Sequence, residues 1–123
     1  MSALIRIAVL ITGAALLLGG LAALVNPAAV AGQLGVAAAN HLGAATLRGD
    51  LFGFFFTAGA FGLAGGIRRN GALLTVPMML IGLALCGRIV ALFVTPFEQA
   101  LVPPMVAEAI MVSVFAAGRF VEI

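Results

Sequence analysis

The chain has 123 residues, 64% of them hydrophobic and 8% charged, with a mean hydropathy of +1.30. No water-soluble domain of this size has interior enough to hide so much apolar surface, and the long unbroken apolar runs exclude the short alternating segments of a membrane β-barrel. Six arginines stand against four acids and set the pI near 10.1, but they are scattered, which argues against a nucleic-acid partner.

The first expected span runs from Leu4 to Val25. Its short charged start and apolar run imitate a secretory signal, but the run is longer than a signal core and Asn26-Pro27 ends it as a helix stop. It reads as a retained helix that enters from the cytoplasm. Asn26 to Leu47 is broken by Pro27, Gly32, Gly35, Asn40, His41 and Gly43. Between those breaks no piece is long enough to span, so a short interfacial helix or a re-entrant segment is expected here.

The second span, Arg48 to Gly66, is the stretch the chain is organised around. It opens on a charged pair and then stays apolar, with no further charge until Arg68-Arg69. At about 100° per residue, Gly49, Gly53, Thr57, Ala60 and Ala64 share one stripe, and Gly59, Gly62 and Gly66 another. Small stripes let helix backbones approach closely in lipid. Two of them predict neighbours on two sides, either other spans of this chain or a partner in a homo- or hetero-oligomer. Arg68-Arg69-Asn70-Gly71 is a positive turn. The third span covers about 72–95, with Pro77 in its first turn if Thr75 is the N-cap. Thr95-Pro96-Phe97-Glu98 ends it, and Pro103-Pro104 opens a fourth span that runs to about Val121, with Arg119 and Glu122 at its end.

The fold class is therefore all-α: a polytopic four-transmembrane-helix bundle forming one domain over 1–123. If the spans alternate, Arg6, Arg68, Arg69 and Arg119 share one side, which the positive-inside rule makes cytoplasmic. Both termini then lie inside, as in a multi-pass protein of a bacterial cytoplasmic membrane.

The remaining polar residues gather toward the other side. Arg88 is roughly 10 Å from the outer end of the third span, and Glu108 roughly 6–8 Å from that of the fourth, at 1.5 Å per residue. Charges at such depth are costly in lipid, face the interior and pair. An Arg88–Glu108 ion pair is expected, with Asp50 as a competing or additional partner and His41, Arg48 and Glu98 at the mouth. The plain reading of such a pair is that it fixes helix order and rotation with no ligand at all. The functional reading is a polar pocket, with Arg88, Glu108, Asp50, Arg48 and His41 as ligand-binding candidates and Glu108, Asp50 and Arg88 as catalytic ones.

Other signals are weak. One His and one Cys with scattered acids form no metal set. Nothing near His41 specifies a haem or other cofactor. Cys86 and Gly82, and Met78, Met79, Met105 and Met111, read as packing residues. Arg48-Gly49-Asp50 spells an adhesion tripeptide, but here it opens a membrane helix.

Several pieces together resemble the DUF4345 family of small bacterial four-span membrane proteins. They are Asn26-Pro27, Leu34-Gly35-Val36, Arg48 before a Gly-rich span, Gly87-Arg88-Ile89-Val90, and Glu108 in the fourth span. Where that family often has Arg-Ala-aromatic-Gly-Gly, this chain has Arg48-Gly49-Asp50-Leu51-Phe52-Gly53. The architecture is also similar to that of DoxX-type proteins. The resemblance implies the fold and the interest of Arg88 and Glu108, and no activity. The leading expectation is a small membrane binding or accessory protein holding a lipophilic or lipid-like molecule, or docking into a larger membrane complex. The alternatives are a membrane enzyme of isomerase or cyclase type and an oligomeric transport component.

Overall fold

The computed structural model describes residues 2–121, which are helical almost throughout and contain no strand; Glu122 lies outside the described residues. Its helices are α1 (Ala3–Val25), α2 (Pro27–Gln33), α3 (His41–Arg68), α4 (Thr75–Val94) and α5 (Val102–Ala116). A 3₁₀ turn over Gly71–Leu74 leads into α4, another over Gln99–Leu101 leads into α5, and a π-helical turn over Ala117–Val121 extends α5. With these extensions, four helices among the described residues are long and apolar enough to cross a membrane: Ala3–Val25, His41–Arg68, Gly71–Val94 and Gln99–Val121.

Local chemistry accounts for the boundaries. Asn26 ends α1 and also caps α2, where its Oδ1 accepts from the Ala29 amide and Pro27 follows as the first helical residue. The segment after α1 is thus a short helix, and it packs on both α1 and α3. Its C-terminus closes as a Schellman motif: the Gly35 amide donates to Gly32 O at 3.1 Å and the Val36 amide to Ala31 O at 2.9 Å, with Gly35 at φ 76°. Alanine at Gly35 is expected to cost about 1 kcal/mol, because its Cβ crowds the left-handed conformation. Thermal unfolding followed by circular dichroism in detergent checks this, with Gly32→Ala, a helical position with open space, as the comparison expected to be neutral or slightly stabilising.

One boundary departs from the sequence reading. The helix that carries the second span starts at His41, seven residues before Arg48. Asn40 and Gly43 look like breakers in the sequence, but they form the start signal: Asn40 Oδ1 accepts from the Gly43 amide at 2.8 Å. At 1.5 Å per residue the 28-residue helix is about 42 Å long, roughly 12 Å more than a 30 Å hydrocarbon core. Thr75 also departs from expectation. It does not cap α4; its Oγ1 accepts a hydrogen bond from Arg119 Nε at 2.9 Å, while Asn70 caps the preceding turn. Pro77 does fall in the first turn of α4 and is buried there.

The bundle is built on the antiparallel α1–α3 pair, its most extensive contact. Gly13 faces Gly59, Gly62 and Leu63, and Gly20 faces Phe56, at distances that leave no room for a side chain. Arginines fasten the two ends of this pair. Arg6 Nε donates to Gly66 O at 2.8 Å at the C-terminus of α3, and Arg48 Nε donates to Leu24 O at 3.0 Å at the C-terminus of α1. Both meet the carbonyls and the negative dipole end of a neighbouring helix. Of the two glycine stripes, only Gly59, Gly62 and Gly66 are packed; Gly49 and Gly53 have open space beside them. Helix α4 packs on α3 and α5, and α5 meets α1 only lightly.

Core residues concentrate toward one end. Val9, Leu16, Ala58, Leu74, Ile81 and Phe115 form the buried cluster. Arg6, Arg68, Arg69 and Arg119 gather at that same end, where Arg6 meets the end of α3, Arg119 meets the start of α4, and Gly71 lies against Gly118. Toward the opposite end the helices are less well filled, and the candidate site lies there.

Candidate functional site

Helical periodicity brings one stripe from each of three helices to the bundle interior. On α4 it reads Pro77, Ile81, Ala84, Arg88, Ala91; on α5, Pro104, Glu108, Met111, Phe115; on α3, Leu51, Phe54, Phe55, Ala58. Arg88 and Glu108 each continue an otherwise apolar interior stripe, so neither can turn to lipid without rotating its helix and exposing its buried neighbours.

The two side chains meet. Arg88 Nε donates to Glu108 Oε1 at 3.0 Å. Glu108 is the one charged residue that is buried among those described, at 8% exposure, whereas the Arg88 side chain keeps 27%. The pair is monodentate. The terminal guanidinium nitrogens have no hydrogen-bond partner among the described residues, and no buried side-chain nitrogen or oxygen among them is left without one. Those nitrogens are therefore accessible. A guanidinium carries five N–H donors in a planar fork, so one is spent on Glu108 and four remain for an acceptor brought from outside.

The space they reach is a set of adjoining cavities. One of about 300 Å³ is apolar apart from the ion pair, with Leu51, Phe54 and Phe55 on α3, Ile81 and Ala84 on α4, and Ala107 and Met111 on α5. A second, of about 480 Å³ and more polar, lies beyond it toward the chain ends of α2 and α4, with Gln33, Thr95 and Glu98 among its walls. Arg88, Leu34 and Pro104 line both, so they mark the boundary between them. A third, of about 440 Å³, is a groove between α1, α2 and α5 that shares Leu34, Phe55 and Met111 with the apolar cavity. These volumes fall within the roughly 300–1,000 Å³ of small-molecule sites.

The other expected site residues do not join this cluster. Asp50 is exposed and lines none of the three cavities; its neighbour Leu51 takes the inward position, about 100° around the helix. The expected Arg88–Asp50 contact is absent. Arg48 is spent on Leu24 O. His41 is exposed at the first turn of α3, away from all three cavities. Of the mouth residues expected, only Glu98 lines the outer cavity. The cause is the early start of α3, which moves His41 a further two turns from Arg48 along the same helix. The cavity thus holds one cation and one buried carboxylate already bonded to each other, and no second acid or base on the inner wall. Among the described residues no group of three or more His, Cys, Asp or Glu comes together to hold a metal.

Sequence reasoning missed the walls. Leu51, Phe54, Phe55 and Ala58 carry the interior spacing of α3 and were legible in principle. Leu34 was not, because only the fold-back of α2 brings it to Arg88.

Comparison of the chain with protein families, curated proteins and solved structures finds no match. The resemblance to DUF4345 therefore rests on the motifs alone, and that to DoxX-type proteins on architecture alone. What fold and site define together is a class: an all-α chain with four helices long and apolar enough to cross a membrane, and an ion pair on the wall of an apolar cavity.

Proposed function

We propose that this chain is a small, non-enzymatic, multi-pass membrane protein that holds one lipophilic molecule, with the molecule's polar end against Arg88 and its apolar body in the adjoining cavity. One observation carries the reading. Glu108, the one buried charged side chain among the described residues, pairs with an arginine that lines a cavity and whose terminal nitrogens have no partner among those residues. A pair serving only to fix helix order would have its remaining donors matched by other groups of the bundle, because donors left without acceptors in a packed interior are costly. A catalyst would need an acid or base free to act, and the inner wall offers only a carboxylate already engaged by Arg88. By the positive-inside rule the arginine-rich end is cytoplasmic, which puts both termini inside and the cavity in the outer half of a bacterial cytoplasmic membrane.

Mass spectrometry of organic extracts from the purified protein tests this. A lipophilic species is expected at near one per chain in the wild type and at background in Arg88→Met/Glu108→Leu, a variant that removes both charges together. Equal amounts from both proteins would defeat the proposal.

A further inference from the structure

The polar end of such a molecule has a definable chemistry. Arg88 by itself invites an anion, but Arg88 is not by itself. Glu108 already neutralises it at 3.0 Å. Glu98 lines the outer cavity that Arg88 also lines, and no other charged residue among those described does. Counted over both cavities, one positive charge faces two negative ones. The wider half of the bundle gives no relief. Arg48, bonded to Leu24 O, is balanced by Asp50 two residues on, and the four remaining arginines lie at the far end. An added anion would enter a site one unit negative, whose apolar inner lining weakens repulsion less than bulk water does.

What the site does offer is accessible N–H donors without a net positive charge. The complementary group is an uncharged acceptor, and a carbonyl oxygen supplies one with two lone pairs and no donor of its own. The walls suit the remainder of the ligand. Past Arg88 the lining is aliphatic and aromatic, and through Leu34, Phe55 and Met111 it continues into the groove bounded by α1, α2 and α5.

The geometry points to an uncharged, carbonyl-headed lipophile (an amide, ester or ketone on a long apolar body) as the ligand class of this site. Its carbonyl accepts from the terminal nitrogens of Arg88, and its tail runs past Leu34 toward the α1–α5 groove. Anionic amphiphiles are rejected by Glu98 and Glu108. This rests on the lipophile-binding reading above and adds the selection of the head group.

The test uses the full chain in detergent and three probes sharing one hexadecyl-length tail: hexadecanamide, hexadecanesulfonate, whose charge is permanent, and hexadecane. Adducts are counted by native mass spectrometry. Wild type is expected to retain the amide on the order of tenfold better than the sulfonate, and better than the hydrocarbon. Glu98→Gln removes the outer negative charge, so sulfonate retention should rise about threefold or more while amide retention stays put. Arg88→Met/Glu108→Leu should lose the preference for the amide over hexadecane. Sulfonate binding to wild type as well as the amide, or no response to Glu98→Gln, overturns the head-group selection and leaves lipophile binding standing. If no probe binds wild type, or all bind the double variant equally, lipophile binding at this pair fails as well.

Discussion

Gly59→Ala is expected to destabilise the bundle by on the order of 3 kcal/mol, the upper part of the range for overpacking a tight interior. The Cβ added at Gly59 would overlap the backbone nitrogen of Leu17 and lie 2.7 Å from Gly13 O and from Leu17 Cα. All three are backbone atoms of α1, so no rotamer change relieves the contact and the two helices must separate. Separation strains the Arg6–Gly66 and Arg48–Leu24 bonds at either end and reduces van der Waals contact, a main source of helix association in lipid. Gly53→Ala, six residues earlier on the same helix, meets nothing within 4 Å. It should be neutral, or stabilising by up to about 1 kcal/mol through helix propensity. Reversible unfolding in mixed micelles, followed by circular dichroism, measures both. If Gly59→Ala is as stable as Gly53→Ala, the close α1–α3 approach is wrong.

The second large effect concerns the ion pair. Arg88→Met should cost about 3 kcal/mol, because it strands a carboxylate that is nearly nine-tenths buried. Glu108→Leu should cost less, about 1–2 kcal/mol, since the longer and more accessible arginine can carry its head toward the polar cavity. The double variant Arg88→Met/Glu108→Leu is expected within about 1 kcal/mol of wild type, as apolar replacement of a buried pair often is. The order matters as much as the sizes. A double variant as unstable as the two singles summed would mean the residues are not coupled. A folded double variant that has lost its ligand would separate binding from scaffolding, which neither single variant can do.

These two sets of residues divide the labour of the molecule. The glycine contact makes one half of the bundle dense, with Val9, Leu16, Ala58 and Phe115 in it. The other half, with larger Phe54 and Phe55 on α3, small Ala84 on α4, and α5 standing off from α1, is left unfilled.

The four spans could be read from the chain because in lipid every backbone amide and carbonyl must be satisfied within its own segment, and a long apolar run can do that only as a helix. The meeting of Arg88 and Glu108 was legible for a related reason. A fixed rise per residue turns sequence position into depth, and two opposite charges at one depth in lipid have few alternatives to each other. What only the tertiary structure decided is rotation about the helix axes and the fold-back of the connection. Spans that are apolar nearly all round carry little signal for which side faces in, so Asp50 could not be distinguished from Leu51, nor the open Gly49–Gly53 stripe from the packed Gly59–Gly66 one. Likewise Asn40 caps α3 through its side chain and Gly35 closes α2 in a left-handed turn, and the path of the chain between these helices brings Leu34 to Arg88 and leaves His41 and Arg48 outside.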